Sequence, residues 1–302
     1  MSLQSIVQAL GGDLYEGGRR ANIPAPGHSA ADRSVSLLLQ DGRVLVHTFG
    51  DGDWKVVVDH LRKHRLIDEA NAPLGVSGSP VGRRTGREVV PPRERLEAAL
   101  RLWDGARPIA RTVSARHCQL RGITRPLPGP QALRHSANAP VSVYHPGRAR
   151  RPALLAGIQD ADGRYTGVEI TYLAANGERA VDLRLPRKTV GVAPGGCAVR
   201  LDPAGEAMLV GEGVFTTLSA SDWFGLPGWA LMSTRNLRAW SPPAGVRSVL
   251  IAADRGTDGE ASAARLKGRL IAGGVAASIA LPPVSWGDWN EWANRGGEAA
   301  GG

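Results

Sequence analysis

The chain has 302 residues, of which 37 are Lys or Arg and 28 are Asp or Glu, giving a formal net charge of +9. This length exceeds what one hydrophobic core usually organises, so two or three domains are expected. The basic excess, combined with a pattern of acidic residues in the C-terminal third, favours nucleic acid over membrane as the partner. No apolar run approaches a membrane span and the N-terminus lacks the regions of a signal peptide, so a cytoplasmic location is expected.

The first 70 residues are predicted to form a module of a helix, a hairpin and a second helix. Apolar residues recur at helical spacing in residues 2–11. Two strand-like runs within residues 34–49 are joined by Asp41 and Gly42, a typical hairpin turn. Residues 53–62 have the pattern of an amphipathic helix. Its predicted buried face consists of Trp54, Val57, Val58 and Leu61.

This order of elements resembles the zinc-ribbon module at the front of phage and plasmid primases. In that module a Cys-Pro-x-His sequence opens a hairpin, and a cysteine-rich turn closes it before an Asp-Trp helix. Here the cysteine positions hold other residues, and His28 and His47 remain as candidate ligands. The two cysteines, Cys118 and Cys197, lie elsewhere. Structural zinc needs four nitrogen or sulfur ligands, so we expect a metal-free relative of a zinc ribbon, with no zinc and with His28 as a hydrogen-bonded loop histidine.

Residues 71–92 are rich in Gly, Pro, Ser and Arg and have almost no apolar periodicity, which predicts a linker. Its basic residues either contact phosphates or belong to a solvated connector. They are Arg83, Arg84 and Arg87. A helix is then predicted over residues 92–103, because a proline stands at its start and apolar residues line one face. That face consists of Leu96, Leu100 and Trp103.

A basic segment within residues 93–205 carries the sequence Arg-Gly-Ile, beginning at Arg121. It resembles the Tyr-Leu-x-x-Arg-Gly-Ile segment at which the catalytic core of primases begins, with His117 and Cys118 in place of Tyr-Leu. Strand-like runs and the turns Asp-Gly and Asn-Gly follow, which predicts antiparallel hairpins. The resemblance implies a β-rich primase-core subdomain that lines the template groove.

Two short apolar runs in residues 206–293 each lead to an acidic residue. Residues 208–210 precede Glu212, and residues 249–253 precede Asp254. Short aliphatic runs flanked by glycine are typical of buried strands in a parallel sheet. Such sheets bind ligands at the carboxyl ends of their strands, so both acids are expected at that edge. Two carboxylates converging there suggest a divalent cation with oxygen ligands.

This arrangement resembles the Toprim domain of bacterial primases, topoisomerases and related nucleases. In that family a Glu follows the first strand, an Asp-x-Asp pair follows a later strand, and the acids hold magnesium for phosphoryl transfer. Glu212 matches the Glu and Asp254 matches the first Asp. Gly256 stands at the second Asp position, and Asp258 follows two residues later. Asp258 is either a further metal ligand or an acid that interacts with the helix N-terminus.

The segment 282–292 looks like the Pro-Pro…Lys-Asp-Trp-Asn-Asp ending of Toprim proteins carried by phages, plasmids and genomic islands. The resemblance places Asp288 near the metal, although an acid before Trp-Asn can also form a turn. It implies Mg²⁺ or Mn²⁺ as cofactor, with Glu212 and Asp254 as the catalytic and metal-binding residues and Asp258 and Asp288 as further ligands. Basic side chains are expected to bind nucleic acid or nucleotide. These are Arg116, Arg121, Arg187, Lys188 and Arg235.

We therefore expect a multidomain chain of the α+β and α/β classes. Residues 1–70 form a degenerate zinc-ribbon-like hairpin module, and the linker 71–92 leads to a primase-core-like subdomain at 93–205. A Toprim parallel sheet at 206–293 and a disordered tail at 294–302 complete the chain.

The resemblance implies an enzyme that makes short RNA primers on single-stranded DNA from nucleoside triphosphates, in replication of a phage or mobile element. The chain has no Gly-x-x-x-x-Gly-Lys-Ser/Thr phosphate loop, so the protein is expected either to use a separate replicative helicase as a partner or to act without one. Because Gly256 replaces an acid, a decayed DNA-binding accessory protein is the alternative. A Toprim nuclease, which would use the same acids, is a third hypothesis.

Overall fold

The computed structural model describes residues 2–28, 32–48, 53–74 and 90–295. The chain divides into two compact units, Met1–Val89 and Val90–Gly302. Most of the predicted linker, with its three arginines, and most of the predicted tail lie outside the described residues. No helix in the described ranges is long and apolar enough to cross a membrane.

The first unit is a four-stranded antiparallel sheet with a helix on either side of it in the sequence. Its strands are hydrogen-bonded in the order β1-β2-β3-β4. Strands β1 and β2 were not predicted, because they are short and flanked by glycines. The elements are α1 (Gln4–Leu10), β1 (Asp13–Tyr15), β2 (Arg20–Ile23), β3 (Val35–Gln40), β4 (Arg43–Thr48) and α2 (Trp54–Lys63).

The predicted hairpin is confirmed as the pair β3 and β4. Gln40 pairs with Arg43 across a two-residue turn in which Asp41 and Gly42 both have positive φ, as a tight hairpin turn requires. His28 lies in a loop with its Nδ1 3.2 Å from a carboxylate oxygen of Asp32.

The predicted buried face of α2 is only partly correct. Val57, Val58 and Leu61 are buried in the core of this unit, whereas the Trp54 side chain is 51% exposed. Trp54 is the first residue of the helix, directly after Asp53, whose side chain accepts a hydrogen bond from the Lys55 amide. The core contacts the helix from Val57 onward and does not include Trp54. Helical periodicity alone therefore wrongly predicted that Trp54 is buried.

The second unit begins with an antiparallel meander covered by helices. Its strands follow one another in the sheet in chain order, β5 to β9. The predicted helix over residues 92–103 is confirmed, with Trp103 buried and Leu96 and Leu100 half-buried. The elements are α3 (Pro92–Asp104), β5 (Arg107–Pro108), α4 (Val113–Leu120), β6 (Leu133–Pro140), β7 (Arg150–Gln159), β8 (Tyr165–Tyr172) and β9 (Arg187–Gly191).

A mostly parallel sheet forms the rest of this unit, with strand order β10-β12-β11-β13-β14. The last four strands in this order are parallel, and β10 joins the edge antiparallel. Strand β12 and helix α6 were not predicted, because both are short. The elements are β10 (Val199–Arg200), β11 (Ala207–Gly211), α5 (Val214–Phe224), β12 (Gly228–Ala230), α6 (Thr234–Ala239), β13 (Ser248–Ala252), α7 (Thr257–Ala272), β14 (Ala276–Ala280) and α8 (Trp289–Arg295).

The central strands of this sheet are buried on both faces, as their continuous apolar runs predict. Met208 and Val210 pack in one core cluster with Leu266 of α7, while Leu209 packs in another with Trp289 of α8. The predicted combination of antiparallel β-rich and parallel α/β architecture is thus confirmed.

Candidate metal and phosphate site

Glu212 and Asp254 lie at the same edge of the parallel sheet. Strands β11 and β13 are direct neighbours, with Gly211 paired to Ala252. Glu212 is the first residue beyond β11, and Asp254 is the second residue beyond β13. Parallel neighbours end at the same edge, so the short connections to α5 and α7 hold both acids at the carboxyl end of the sheet.

The environment of Asp254 disfavours its charge. Burial raises its pKa to about 7, and the negative charges of Glu212 and Asp288 add to this rise, whereas the Thr216 side chain opposes it. The Oδ1 atom of Asp254 is buried without a hydrogen-bond partner among the described residues. A buried carboxylate oxygen without a donor is costly, and a bound cation would remove that cost.

Glu212 is subject to opposing influences. Burial raises the pKa of its carboxyl group, while the backbone amide of Thr234 and the positive charges of Arg187 and Arg238 lower it. Its backbone carbonyl accepts a hydrogen bond from the Met232 amide, which ties the loop after β11 to the segment after β12. Glu212 is therefore held by the sheet edge and faces both acidic and basic neighbours.

The two remaining predicted acids differ in placement. Asp288 caps α8, since its Oδ1 accepts a hydrogen bond from the Glu291 amide at 2.7 Å, and its charge acts on Asp254. Asp258 lies in the first turn of α7, where it is ion-paired with Arg238 and more than half exposed. The charges of Asp288 and Glu212 thus both act on Asp254, whereas Asp258 is paired with an arginine.

The three convergent acids fit a hard divalent cation by the chemistry of their donors. No group of three or more His, Cys, Asp or Glu side chains in the described part of the chain is arranged to hold a metal ion as it stands. The charges of Glu212 and Asp288 nevertheless act on Asp254, and all three groups supply carboxylate oxygens. Carboxylate oxygens are hard donors, which suit Mg²⁺ or Mn²⁺.

Two arginines interact with this acidic group, Arg121 through Asp288 and Arg187 through Glu212, and Arg179 lies within electrostatic reach of both arginines. Burial and the charges of Arg179 and Arg187 lower the pKa of Arg121, and the charge of Asp288 raises it. The Arg121 Nε donates a hydrogen bond to Asn290 Oδ1 at 2.6 Å, and its guanidinium carbon lies 4.9 Å from the centre of the Phe215 ring. Arg121 is thereby held on both the helix α5 and the helix α8.

Strand β9 sends its two basic residues to opposite faces of the meander, because side chains alternate along a strand. Arg187 pairs with Thr171, and its charge acts on Glu212. Lys188 points to the other face, where its Nζ donates a hydrogen bond to the Val141 carbonyl at 2.6 Å and lies 5.2 Å from the Tyr172 ring. Of this predicted pair, the structure brings only Arg187 to the acids.

The other two predicted basic residues lie on exposed surfaces. Arg116 is an exposed residue of α4, and its aliphatic stem lies against Gly177. Arg235 is an exposed residue of α6. The structure gives neither a charge effect on Glu212 or Asp254.

Two residues of the site escaped sequence reasoning. Arg179 and Glu169 come from the second hairpin of the meander, and both interact with Arg187. The Asn-Gly turn before Arg179 was recognised, but strand β9 was not, so the partner strand that brings these residues together was missing. The adjacent β-branched residues Thr189 and Val190 were the available signal.

Four parallel strands with acids after two adjacent central strands form a sheet edge of the kind at which open α/β folds bind ligands. Residues 207–299 match the family model described as the Toprim domain. Residues 93–201 match a domain of unknown function, DUF7146. Residues 207–299 therefore form a Toprim domain, as the sequence predicts. No curated protein sequence matches it.

Solved primase structures are similar to the chain at low identity. The primase fragment of the bacteriophage T7 primase-helicase has 16% identity and a TM-score of 0.39, with 90% of this chain and 93% of that chain covered. The Aquifex aeolicus primase, with zinc-binding and RNA polymerase domains, has 12% identity and a TM-score of 0.44, with 99% and 81% covered. A DnaG primase catalytic domain bound to single-stranded DNA has 14% identity and a TM-score of 0.43, with 69% and 77% covered. All three TM-scores lie below 0.5, so the identification of the Toprim domain depends on the family match over residues 207–299.

Proposed function

We propose that this protein is a primase-type nucleotidyltransferase that makes short RNA primers on single-stranded DNA during phage or mobile-element replication. The observation that carries the proposal is that Glu212 and Asp254 follow adjacent parallel strands at one edge of the sheet, where Asp288 acts on Asp254 and Arg187 acts on Glu212. Acids that fit a divalent cation, next to arginines with a fork of donors for phosphate oxygens, suit a nucleoside triphosphate.

Glu212, Asp254 and Asp288 would hold Mg²⁺ or Mn²⁺. When bound, such an ion supplies charge stabilisation as a 3′-hydroxyl displaces pyrophosphate from the α-phosphate of the incoming nucleotide. The buried position of Asp254 excludes water from one side of the site, which strengthens electrostatic interactions there. Asp258 is the weaker candidate ligand, since Arg238 already balances its charge.

The basic residues would divide between nucleotide and template. Arg121 and Arg187 would bind the polyphosphate, because both act electrostatically on the acidic group. Arg116 and Arg235 are exposed and would contact the phosphates of single-stranded DNA. Lys188 would support the meander rather than bind a ligand, since it lies on the opposite face of β9 from Arg187. A separate replicative helicase would supply unwound template.

The alternative is a DNA-binding accessory protein whose site has lost its activity. Gly256 favours it, because an acid expected from the family pattern is missing and no other acid of α7 joins the group in the described chain. A Toprim nuclease would use the same acids but would not need a nucleotide site.

Primer synthesis with labelled ribonucleotides on single-stranded DNA, in Mg²⁺ or Mn²⁺, tests the proposal. Glu212→Gln and Asp254→Asn are each expected to lower synthesis by about 100-fold or more, because each removes an anionic ligand of the cation that would stabilise the reacting phosphates. Glu206→Gln is the matched control, since Glu206 directly precedes β11 and is exposed at the opposite end of the strand. Wild-type synthesis by Glu212→Gln would refute the site. An inactive wild type that binds DNA would support the accessory protein, and degradation of the template would support the nuclease.

A further inference from the structure

Glu169 is a buried carboxylate for which the proposed chemistry has no use. It lies on β8 with its side chain only 16% exposed. Burial raises its pKa, and the charges of Arg187 and Arg179 oppose that rise. A carboxylate in such a place destabilises the fold unless nearby cations compensate for its lost hydration. One of these two arginines, Arg187, also acts on Glu212 of the acidic group.

The strand register explains how Glu169 reaches Arg187. Glu169 pairs with Thr189, and Thr171 pairs with Arg187, so all four side chains share one face of the meander. Glu169 and Arg187 are diagonal neighbours on that face, a separation that long side chains can span. The Arg187 Nε lies 3.9 Å from Glu169 Oε2, which is an ion-pair distance but longer than a hydrogen bond.

Neither arginine is saturated by Glu169. The charge of Arg187 acts on Glu212 as well as on Glu169, so this guanidinium is within electrostatic reach of both acids. The Nε of Arg179 is buried without a hydrogen-bond partner in the described ranges. Arg179 and Arg187 each disfavour the positive charge of Arg121. Three cations in mutual repulsion would separate unless a negative charge held them.

We infer that Glu169 is a positioning residue that holds Arg179 and Arg187 together opposite the acids, an inference that rests on the proposed function. Its charge offsets the repulsion between the two guanidinium groups, while its length leaves their N–H donors open for the polyphosphate of a nucleoside triphosphate. Glu169 does not touch the nucleotide in this arrangement. It fixes the positions of the two guanidinium groups before the nucleotide binds.

The inference predicts a particular kinetic signature. Removing the Glu169 charge leaves the site more positive, so binding of an anion is not weakened. The guanidinium groups become free to adopt other rotamers, so the reacting phosphate is no longer held in one orientation. Loss of orientation lowers the rate of the bound complex, and misplacement by about 1 Å can cost as much as about 100-fold.

Glu169→Gln is the test, and Glu178→Gln is its matched control. Glu178 precedes Arg179 in the chain, is exposed and is hydrogen-bonded to the Asn176 amide, so the control removes the same charge close by. Glu169→Gln is expected to lower kcat for primer synthesis by about 10- to 100-fold with no rise in KM for nucleotide. Titration with inorganic tripolyphosphate should show an unchanged or lower Kd, and Glu169→Asp should recover part of kcat.

Order in the arginine side chains provides a readout that does not need activity. With ¹⁵N-labelled arginine, the Nε–H signals of Arg179 and Arg187 should report rigid groups in the wild type and in Glu178→Gln, and mobile groups in Glu169→Gln. Unchanged order or unchanged kcat in Glu169→Gln would overturn the inference. A wild type that makes no primers, but whose arginines become mobile in Glu169→Gln, would refute the proposed function alone.

Discussion

Asp254 is a residue whose charge the native fold disfavours. Its folded-state pKa is raised from 3.8 to about 7, so the folded chain binds this proton more tightly than the unfolded chain does. The free energy of unfolding therefore falls as the pH rises between these two values, and the loss is complete above pH about 7. Without a metal, Asp254→Asn should be more stable than the wild type at pH 8, by on the order of a few kcal/mol, and should therefore unfold at a higher temperature. The difference should shrink towards pH 4.

Thermal melting of both proteins from pH 4 to pH 8, with and without Mg²⁺, checks this prediction. Mg²⁺ should raise the melting temperature of the wild type at pH 8, since a cation relieves the repulsion among Asp254, Glu212 and Asp288. Asp254→Asn should respond less. A lower melting temperature for Asp254→Asn at every pH would mean that this carboxylate is a structural acceptor.

The acid that is missing at Gly256 is not expected to be restored by a single substitution. Gly256 is the residue before α7 and has φ 116° and ψ 157°, a backbone conformation that side chains rarely adopt. Gly256→Asp should therefore lower stability by about 1–3 kcal/mol without raising activity, although open space surrounds the position. Gly268→Asp, at an exposed α7 glycine that also has open space around it, should cost less. Melting curves and primer synthesis of both variants test this prediction. A stable, more active Gly256→Asp would contradict it.

At the scale of elements, β9 assigns different roles to adjacent basic residues. Arg187→Gln should weaken binding of inorganic tripolyphosphate by about 10-fold, the effect of losing one charge-assisted contact. Lys188→Gln should leave this affinity unchanged and lower the melting temperature, because Lys188 bonds to the Val141 carbonyl on the other face. Titration calorimetry and melting of both variants distinguish the two roles. Equal losses of affinity would mean that the strand does not separate them.

At the scale of the whole molecule, the net charge of +9 favours association with nucleic acid. Each phosphate neutralised releases counterions, so binding to single-stranded DNA should weaken steeply with salt. For four phosphate contacts the affinity should fall by about 50-fold between 50 mM and 200 mM salt. Fluorescence anisotropy of a labelled oligonucleotide across this range measures it. A flat response would show that the basic residues form no common binding surface.

Zinc content is a second property of the whole chain. The two cysteines, Cys118 and Cys197, are both buried in the second unit, and burial raises the pKa of each thiol, that of Cys118 to about 12. Thiols that resist deprotonation are poor zinc ligands. Metal analysis of the purified protein is expected to find no stoichiometric zinc, and one tightly bound zinc per chain would contradict the metal-free first unit.

Much of the fold could be predicted from local sequence patterns. The apolar runs before Glu212 and Asp254 predicted β11 and β13, and Asp41-Gly42 predicted the first hairpin, because each pattern lies within a few residues. Strands β1, β2, β9 and β12 were missed, since short strands owe their stability to neighbours distant in sequence. Glu169 and Arg179 were missed for the same reason, because their interactions with Arg187 also depend on strand pairing.

The sequence by itself determined that two acids follow two buried parallel strands, because strand, turn and acid are consecutive in the chain. Only the tertiary structure decided which cations face them. Arg121 is held by Asn290, 169 residues away, and the choice between Arg187 and Lys188 depends on which face of β9 is turned to the parallel sheet. Charge alone cannot make that choice, since both residues are basic. Strand pairing makes it, because a shift of one residue would reverse every side chain.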